Sequence, residues 1–555
     1  MAMRMNYSDR GPSPLEGAKS EAAGTRDSTF GWWGAFSIQK FVNQNTLFHT
    51  HADAGGWLAY LQQFYDRNFW FADGGAQVWA YEETYDNWQD RYGMDAVVAV
   101  YHSGHGGMDN NGVFFAPLGA VWDGRSDAVS NRMALGNEKA NYVFWSTCTS
   151  LRVLGGHSPI RTWAGPNIGF RMIFGFETVS IDSPDYGKKF WEKWRAGQTF
   201  ADAWLNASWD IYKGQAPSVC AVGANQAEAT ARLNGERTLY REHVPDNWYA
   251  WRWYNARDSL REPLTQPPGS PQIVQLAPRD PGAELTKMGR IADFPSAALQ
   301  EVQVERQGVL SAASGDRTVS TAPHAIRWVK LAEANHRNLR QLPTERAIEA
   351  AREFAERHAD GAELVVDSVH DLMQNSGAKD GSELGQPVSL ETHVTFRQVF
   401  DGVPVITPDR GLIRVVLDND ATVVQAQIST REATGTTREP STDVAPPPEG
   451  GKSASAAPTA PRARDPRELL AAAQRQLLAE LAAVTAGEPG GRGEKGAKGA
   501  KAPQEPEVRD VPGTFEVGYE IEGNEAYPAA RKLIEIGPSD GMFTTRRWVV
   551  APLAR

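Results

Sequence analysis

Two segments constrain this chain more than anything else in it. In MDAVVAVYHSGHGG, residues 94–107, an apolar and β-branched run containing Val97, Val98 and Val100 stops at a turn rich in glycine and histidine. In NYVFWSTCTSL, residues 141–151, a second apolar run from Tyr142 to Trp145 stops at Cys148. Neither run alternates polar with apolar residues, so both read as strands buried on two faces of a parallel sheet. The 43 residues separating His105 from Cys148 suffice for a right-handed crossover onto a neighbouring strand. Ligands of such sheets gather at the carboxyl ends of the strands. The first part of the chain is therefore expected to be α/β, with His105 and Cys148 facing one crevice.

That pair has a chemistry. A thiol is weakly ionised at neutral pH, and the thiolate is the nucleophile. An imidazole stabilises the thiolate and later protonates a leaving amine. Glycines beside the histidine let substrate approach the backbone, whose N–H groups are suited to a developing oxyanion. The plainer alternative for a strand-end cysteine is a small buried hydrophobe. His102 is a neighbouring candidate base, or a support for the turn. Cys220, in QAPSVCAVGANQ, reads as a packing residue. The run HTHADA, residues 49–54, is similar to the start of the H-x-H-x-D-H zinc motif of metallo-β-lactamase-type hydrolases, with Ala54 where the last histidine would stand. His49, His51, His102 and His105 make a four-histidine metal site conceivable. The alternative is a polar segment ahead of a helix, and no metal or other cofactor is expected. Glu177, Asp182 and Asp185, after the strand RMIFGFET, are candidates to line a pocket for a basic side chain of a substrate, or else are solvated loop carboxylates.

HSGHGG after an apolar strand, with a second strand ending in one reactive cysteine, resembles the caspase, metacaspase and gingipain group of cysteine peptidases. The turn is similar to the YSGHGG of metacaspases. An uncharacterised bacterial family of caspase-like domains offers equivalents for Gly112, Gly119, RMIFGFET and the helix TFADAWLNASWDI. The resemblance covers about 220 residues and implies a mainly parallel sheet with flanking helices. It implies His105 as catalytic histidine, Cys148 as nucleophile, and the N–H groups of Gly106 and Cys148 as oxyanion hole. The implied activity is endopeptidase cleavage of a protein or peptide through an acyl-enzyme. Metacaspases carry an aspartate just before the cysteine region, where this chain reads Ser146-Thr147-Cys148-Thr149-Ser150. That difference supports a second reading, a catalytically inactive caspase-like protein that binds a partner.

The remaining organisation follows from length and composition. A chain of 555 residues is expected to hold two to four domains. Two cysteines exclude a disulfide framework and a cysteine-rich zinc site. A net charge of −11 disfavours nucleic acid and anionic membrane as partners. Without a signal-like apolar segment or an 18-residue apolar run, cytoplasmic residence is the default expectation, with secretion left open. Residues 1–28 read as a disordered tail, 29–255 as the caspase-like domain, and 256–290 and 436–464 as Pro-rich linkers. Residues 291–435 and 465–555 read as two α+β modules, each a helix followed by strands. The first helix starts at Thr344 as N-cap, and 486–508 is a flexible insert in the second module. VTFRQVFDGVPVITPDRGLIRVVLDNDATVVQAQIS resembles the propeptide module of fungalysin and thermolysin-like proteases; VGYEIEG with RRWVVAP resembles a PepSY domain. No H-E-x-x-H motif occurs in the chain. The resemblance implies inhibition or chaperoning of a peptidase. The C-terminal modules are expected either to restrain the first domain by contact, relieved by cutting the 256–290 or the 436–464 linker, or to bind a partner or substrate without touching the site.

Overall fold

A computed structural model describes residues 4–8, 11–15, 31–257, 272–305, 309–315, 317–321, 327–437, 465–486, 507–537 and 544–553. Its centre is a mixed sheet. Strands β1 (Trp33–Ser37), β2 (Phe69–Ala72), β3 (Ala99–Ser103), β4 (Tyr142–Ser146) and β5 (Met172–Phe176) run parallel in the order β2-β1-β3-β4-β5. Every residue of β1, β3, β4 and β5 is buried, which explains their unbroken hydrophobicity. Helices α1 (Thr50–Leu61), α2 (Tyr186–Arg195) and α3 (Phe200–Ile211) cover one face, through Trp57, Trp191 and Trp204. Beneath them Phe144 and Phe174 stack at 4.0 Å on neighbouring strands. The other face carries Tyr81, Phe114, Trp145 and Trp163, supplied mostly by irregular segments and a hairpin. Aromatic area of this kind dominates core energetics.

The sheet does not end with the first domain. Strand β6 (Pro217–Gly223) joins β5 antiparallel, and β7 (Trp248–Ala256) joins β6. Then β8 (Glu363–Ala378), from the second half, pairs along β7 from Trp248–Ala378 to Ala256–His370. Strands β9 (Val388–Phe400), β10 (Leu412–Asp418) and β11 (Val423–Ile428) continue it antiparallel. The three strand-like runs of the second module are thus present, the last folded into a hairpin with Ala421 at φ 64°. Helix α4 (Thr344–His358) lays Ala347, Ala351 and Phe354 against Val394, Phe396 and Val415. Its N-cap is Pro343, one residue before the expected Thr344, whose hydroxyl accepts from Arg257 instead.

Charges bind this junction as well. Asp210 of α3 is paired with Arg414 of β10 and Lys193 of α2, and the Asp210 and Arg414 side chains are wholly buried. Lys213 and Arg397 share Asp367, and Lys189 pairs with Asp409.

Two expected linkers and the tail need correction or fall outside the description. The described part of 256–290 is not bare linker. Ile273–Leu276 pairs with Ala433–Thr437, and Pro281–Ile291 is a helix. Asp280 caps that helix by accepting from the Ala283 N–H, and Pro281 occupies its first position, where proline starts a helix instead of breaking it. Within 1–28, Arg4–Ser8 pairs with Glu301–Glu305, so part of the expected tail is strand. Nearly all of 436–464, and 487–506 of the insert, lie outside the described residues.

The chain closes with α5 (Pro466–Ala486) packed on β13 (Glu525–Ile536) and β14 (Thr545–Pro552); β12 (Glu516–Glu522) flanks β13 on its other edge. Among the described residues no helix is long and apolar enough to cross a membrane.

Candidate functional site

Register builds the site. Ser103, the last residue of β3, pairs with Ser37 at the end of β1 and with Ser146 at the end of β4. His105 and Cys148 therefore stand at the same height, each two residues past a paired serine. The two turns touch. A Cβ on Gly106 would lie 2.7 Å from both the Cys148 carbonyl oxygen and the Thr147 hydroxyl, so glycine is required at this close approach. Past the cysteine the chain reverses through Thr149 at φ 49°, a left-handed conformation that costs a threonine energy and is often found at functional turns.

His105, Cys148, Asp53, Ser103, Ser146 and Asp182 line one cavity, closed in part by Thr544 and Thr545. Its free volume is about 20 Å³, room for a single water. His105 Nε2 lies 2.8 Å from the Asn45 carbonyl oxygen, which only accepts, so the ring carries its proton there and keeps Nδ1 as the basic nitrogen. Burial pushes its pKa down to about 4, leaving a neutral imidazole. The Cys148 thiol points at the carbonyl oxygens of Ser180 (3.7 Å) and Thr544 (3.8 Å). Burial pushes this thiol above its ordinary value, so in this closed form it is un-ionised.

Asp53 completes the floor. Its carboxylate accepts from Tyr101 Oη (2.9 Å), Ser103 Oγ (2.8 Å) and the Gly187 N–H (2.8 Å), while burial raises its pKa to about 6. Sequence alone does not single this residue out inside HTHADA. Its signal was an aspartate on the apolar side of a helix, four residues before Trp57. Asn45 gave no signal, because it acts through its backbone.

The other candidates separate. His102 turns to the opposite face of β3, bonds Tyr81 Oη at 3.0 Å, and burial lowers its pKa to about 3. His51 lies between Ser37 Oγ (2.8 Å) and Asp73 (3.2 Å). His49 accepts from Arg547 at 3.0 Å. The four histidines of the conceivable metal site are thus dispersed, and among the described residues no three His, Cys, Asp or Glu gather as a metal site. Cys220 is buried in β6, and burial pushes its thiol well up. The Glu177 carboxylate is taken by the N–H groups of Val153 and Leu154, and it does not line the cavity. Asp182 does, and accepts from the N–H groups of Phe48 (2.9 Å) and His49 (3.1 Å). Asp182 and Asp185 also share an adjoining groove with Lys188, Arg410 and Arg547.

Residues 32–249 match the model of a family described as a domain of unknown function, DUF6345. No curated protein matches the chain. Among solved structures the Arg-specific cysteine proteinase gingipain R is similar at a TM-score of 0.24 and 11% identity, over 55% of this chain and 65% of that one. The chain thus spans less than two thirds of that protein's length. The fold and the site define the first half as a mixed α/β domain with a histidine and a cysteine at adjacent strand ends.

Proposed function

We propose that the first domain is a caspase-like cysteine endopeptidase. The observation that supports it is the placement of His105 and Cys148 just past the ends of adjacent parallel strands, in one cavity. The Cys148 sulfur attacks the scissile carbonyl of a peptide, and its proton passes to the His105 ring. The N–H groups of Gly106 and Cys148 hold the oxyanion. The imidazolium then protonates the departing amine, leaving a thioester that water hydrolyses with His105 as base. The Asn45 carbonyl keeps the ring in one tautomer, a positioning role. Asp182 and Asp185 favour a basic side chain in the adjoining groove.

In this reading the C-terminal half comprises a propeptide-like and a PepSY-like module that restrain the peptidase. Cutting residues 256–290 alone leaves the β7–β8 ladder in place, whereas a cut in 436–464 severs the chain ahead of Thr544 and Thr545, which line the cavity. The test is cleavage of a peptide library by the full chain, before and after limited proteolysis within 436–464, and by Cys148→Ala treated alike; cleavage that survives the substitution removes Cys148 as nucleophile.

A second reading, an inactive binding protein, draws on the nearly filled cavity and the un-ionised thiol. An activated cysteine reacts with iodoacetamide below the ~8.5 of an ordinary thiol. If Cys148, once uncovered, reacts only above that pH, the binding reading prevails.

A further inference from the structure

The mouth of the cavity is covered by four consecutive residues that fit it on three counts. Thr544 turns its carbonyl oxygen to the Cys148 sulfur at 3.8 Å. Arg546 then forms a parallel bridge with Ile181, and its carbonyl accepts from the Asp182 N–H at 2.9 Å. Arg547 follows, its guanidinium 4.4 Å from the centre of the Phe48 ring, bonded to His49 Nε2 at 3.0 Å and 4.0 Å from the Asp182 carboxylate. Phe48 and His49 are themselves held by that carboxylate through their N–H groups. An aromatic face, a neutral imidazole acceptor and a carboxylate around one cation form a receptor for a guanidinium. Backbone pairing beside it supplies the register by which an added strand is recognised.

From this geometry we infer that Ser180–Asp182, with Phe48 and His49, is a strand-addition site for an extended peptide bearing an arginine, and that Thr544–Arg547 is its resident occupant. The occupant sets its arginine three residues past the carbonyl that faces Cys148. While it is seated, the thiol has no access to a substrate. The Arg546 side chain serves the hairpin itself, bonding Glu535 at 2.9 Å on β13, so of the two arginines it is Arg547 that clasps the first domain, next to the contact of Trp548 with Tyr212. The inference takes from the proposed function only that Cys148 is the group being covered.

Alkylation of Cys148 in the full chain, followed by mass spectrometry, tests it without any need for catalysis. Arg547→Ala should label Cys148 roughly tenfold faster or more, the scale expected on losing a desolvated cation–π contact with its polar partners. Cys220 is the internal control for folding, being buried in β6 and remote from the clasp. If both cysteines react, Arg547→Lys decides: it keeps the charge but not the planar fork, and should label Cys148 at an intermediate rate. Added peptide Thr-Thr-Arg-Arg-Trp should restore protection in the variant; the same peptide with alanine for the second arginine should not. Wild-type labelling rates in the folded variants, or equal protection by both peptides, overturn the inference. Accessible Cys148 with no peptide cleavage would remove the peptidase reading and leave the strand site standing.

Discussion

Two of the contacts between the halves of the molecule differ in kind. At the seam, the whole of β7 pairs with His370–Ala378 of β8, and Asp210 and Arg414 are sealed together without solvent. At the cavity mouth, a backbone bridge, a backbone hydrogen bond and Arg547 hold the start of β14 over Cys148, and Trp548 of the same strand packs edge-on to Tyr212. Opening the seam requires dismantling a sheet and exposing paired charges. Opening the mouth requires lifting Thr544–Arg547 away from Ile181 and Asp182 and fraying the end of their ladder to β13, the scale of a local opening. A contact that must hold and a contact that must let go are thereby separated in space, although both join the same halves.

The largest expected effect breaks the seam. Arg414→Ala leaves Asp210 buried with only Lys193 beside it, and loss of one partner from a buried pair costs about 3–5 kcal/mol. The fall should appear in denaturant unfolding of the whole chain, with Cys148 and Cys220 becoming reactive together. Early labelling of Cys148 alone would mean that the seam and the mouth are one unit.

Acidity sharpens the contrast, because the carboxylates on the two sides respond with opposite sign. Burial by itself would raise the Asp210 carboxyl, but Arg414 and Lys193 hold it far below the usual range. Its stabilising contribution is present above the ordinary carboxylate pKa and lost as pH falls through that value toward the folded one. Asp53 is the reverse: burial lifts it from 3.8 to about 6. Its folded form takes up a proton more readily than its unfolded form, so through this group stability increases as pH falls across that window. Urea unfolding at about pH 7 and about pH 5 should show wild type gaining on Asp53→Asn at the lower pH. An unchanged gap would place the Asp53 pKa near its unfolded value.

How much of this was legible depends on where each contact comes from. The strands ending at His105 and Cys148 announced themselves, because burial on both faces leaves an unbroken apolar run. The period of two also explains why His102, beside the site residue Ser103, ends up on the other face with Tyr81. The seam was not legible. Nothing in WYAWRWYNA reveals which strand lies beside it, and the segment after it, rich in proline, read as a boundary. Pro281 opens a helix there because Asp280 caps it. The partners of the two reactive groups were hidden for another reason: Asn45 and Thr544 act through carbonyl oxygens, which every residue carries. Asp182 was named for its carboxylate, but the arginine it meets lies 365 residues further along the chain.

Gly106→Ala probes the touching turns from the histidine side. Its Cβ would meet backbone at 2.7 Å, so the turns must part, at about 1–3 kcal/mol for overpacking. Peptide cleavage should fall far more than stability does, since Gly106 N–H is also the proposed oxyanion donor. Equal losses in both would reduce Gly106 to a spacer.

The smallest expected effect lies one residue beyond the cysteine. Thr149 stands at φ 49°, where a β-branched residue is strained by roughly 1–2 kcal/mol and glycine is not. Thr149→Gly removes that strain but frees the unfolded chain, a cost of about 0.5–1 kcal/mol. The two nearly cancel, so the unfolding midpoint should move little, in the stabilising direction if at all. Activity need not follow stability. The Thr149 N–H bonds the Thr178 carbonyl at 3.0 Å, tying the cysteine turn to the segment that leads to Ser180. A glycine there loosens the tie between the nucleophile and the strand-addition edge without touching either. If cleavage slows while the unfolding midpoint holds, the strained turn orients Cys148; if both are unchanged, the left-handed residue is only the way the chain happens to reverse.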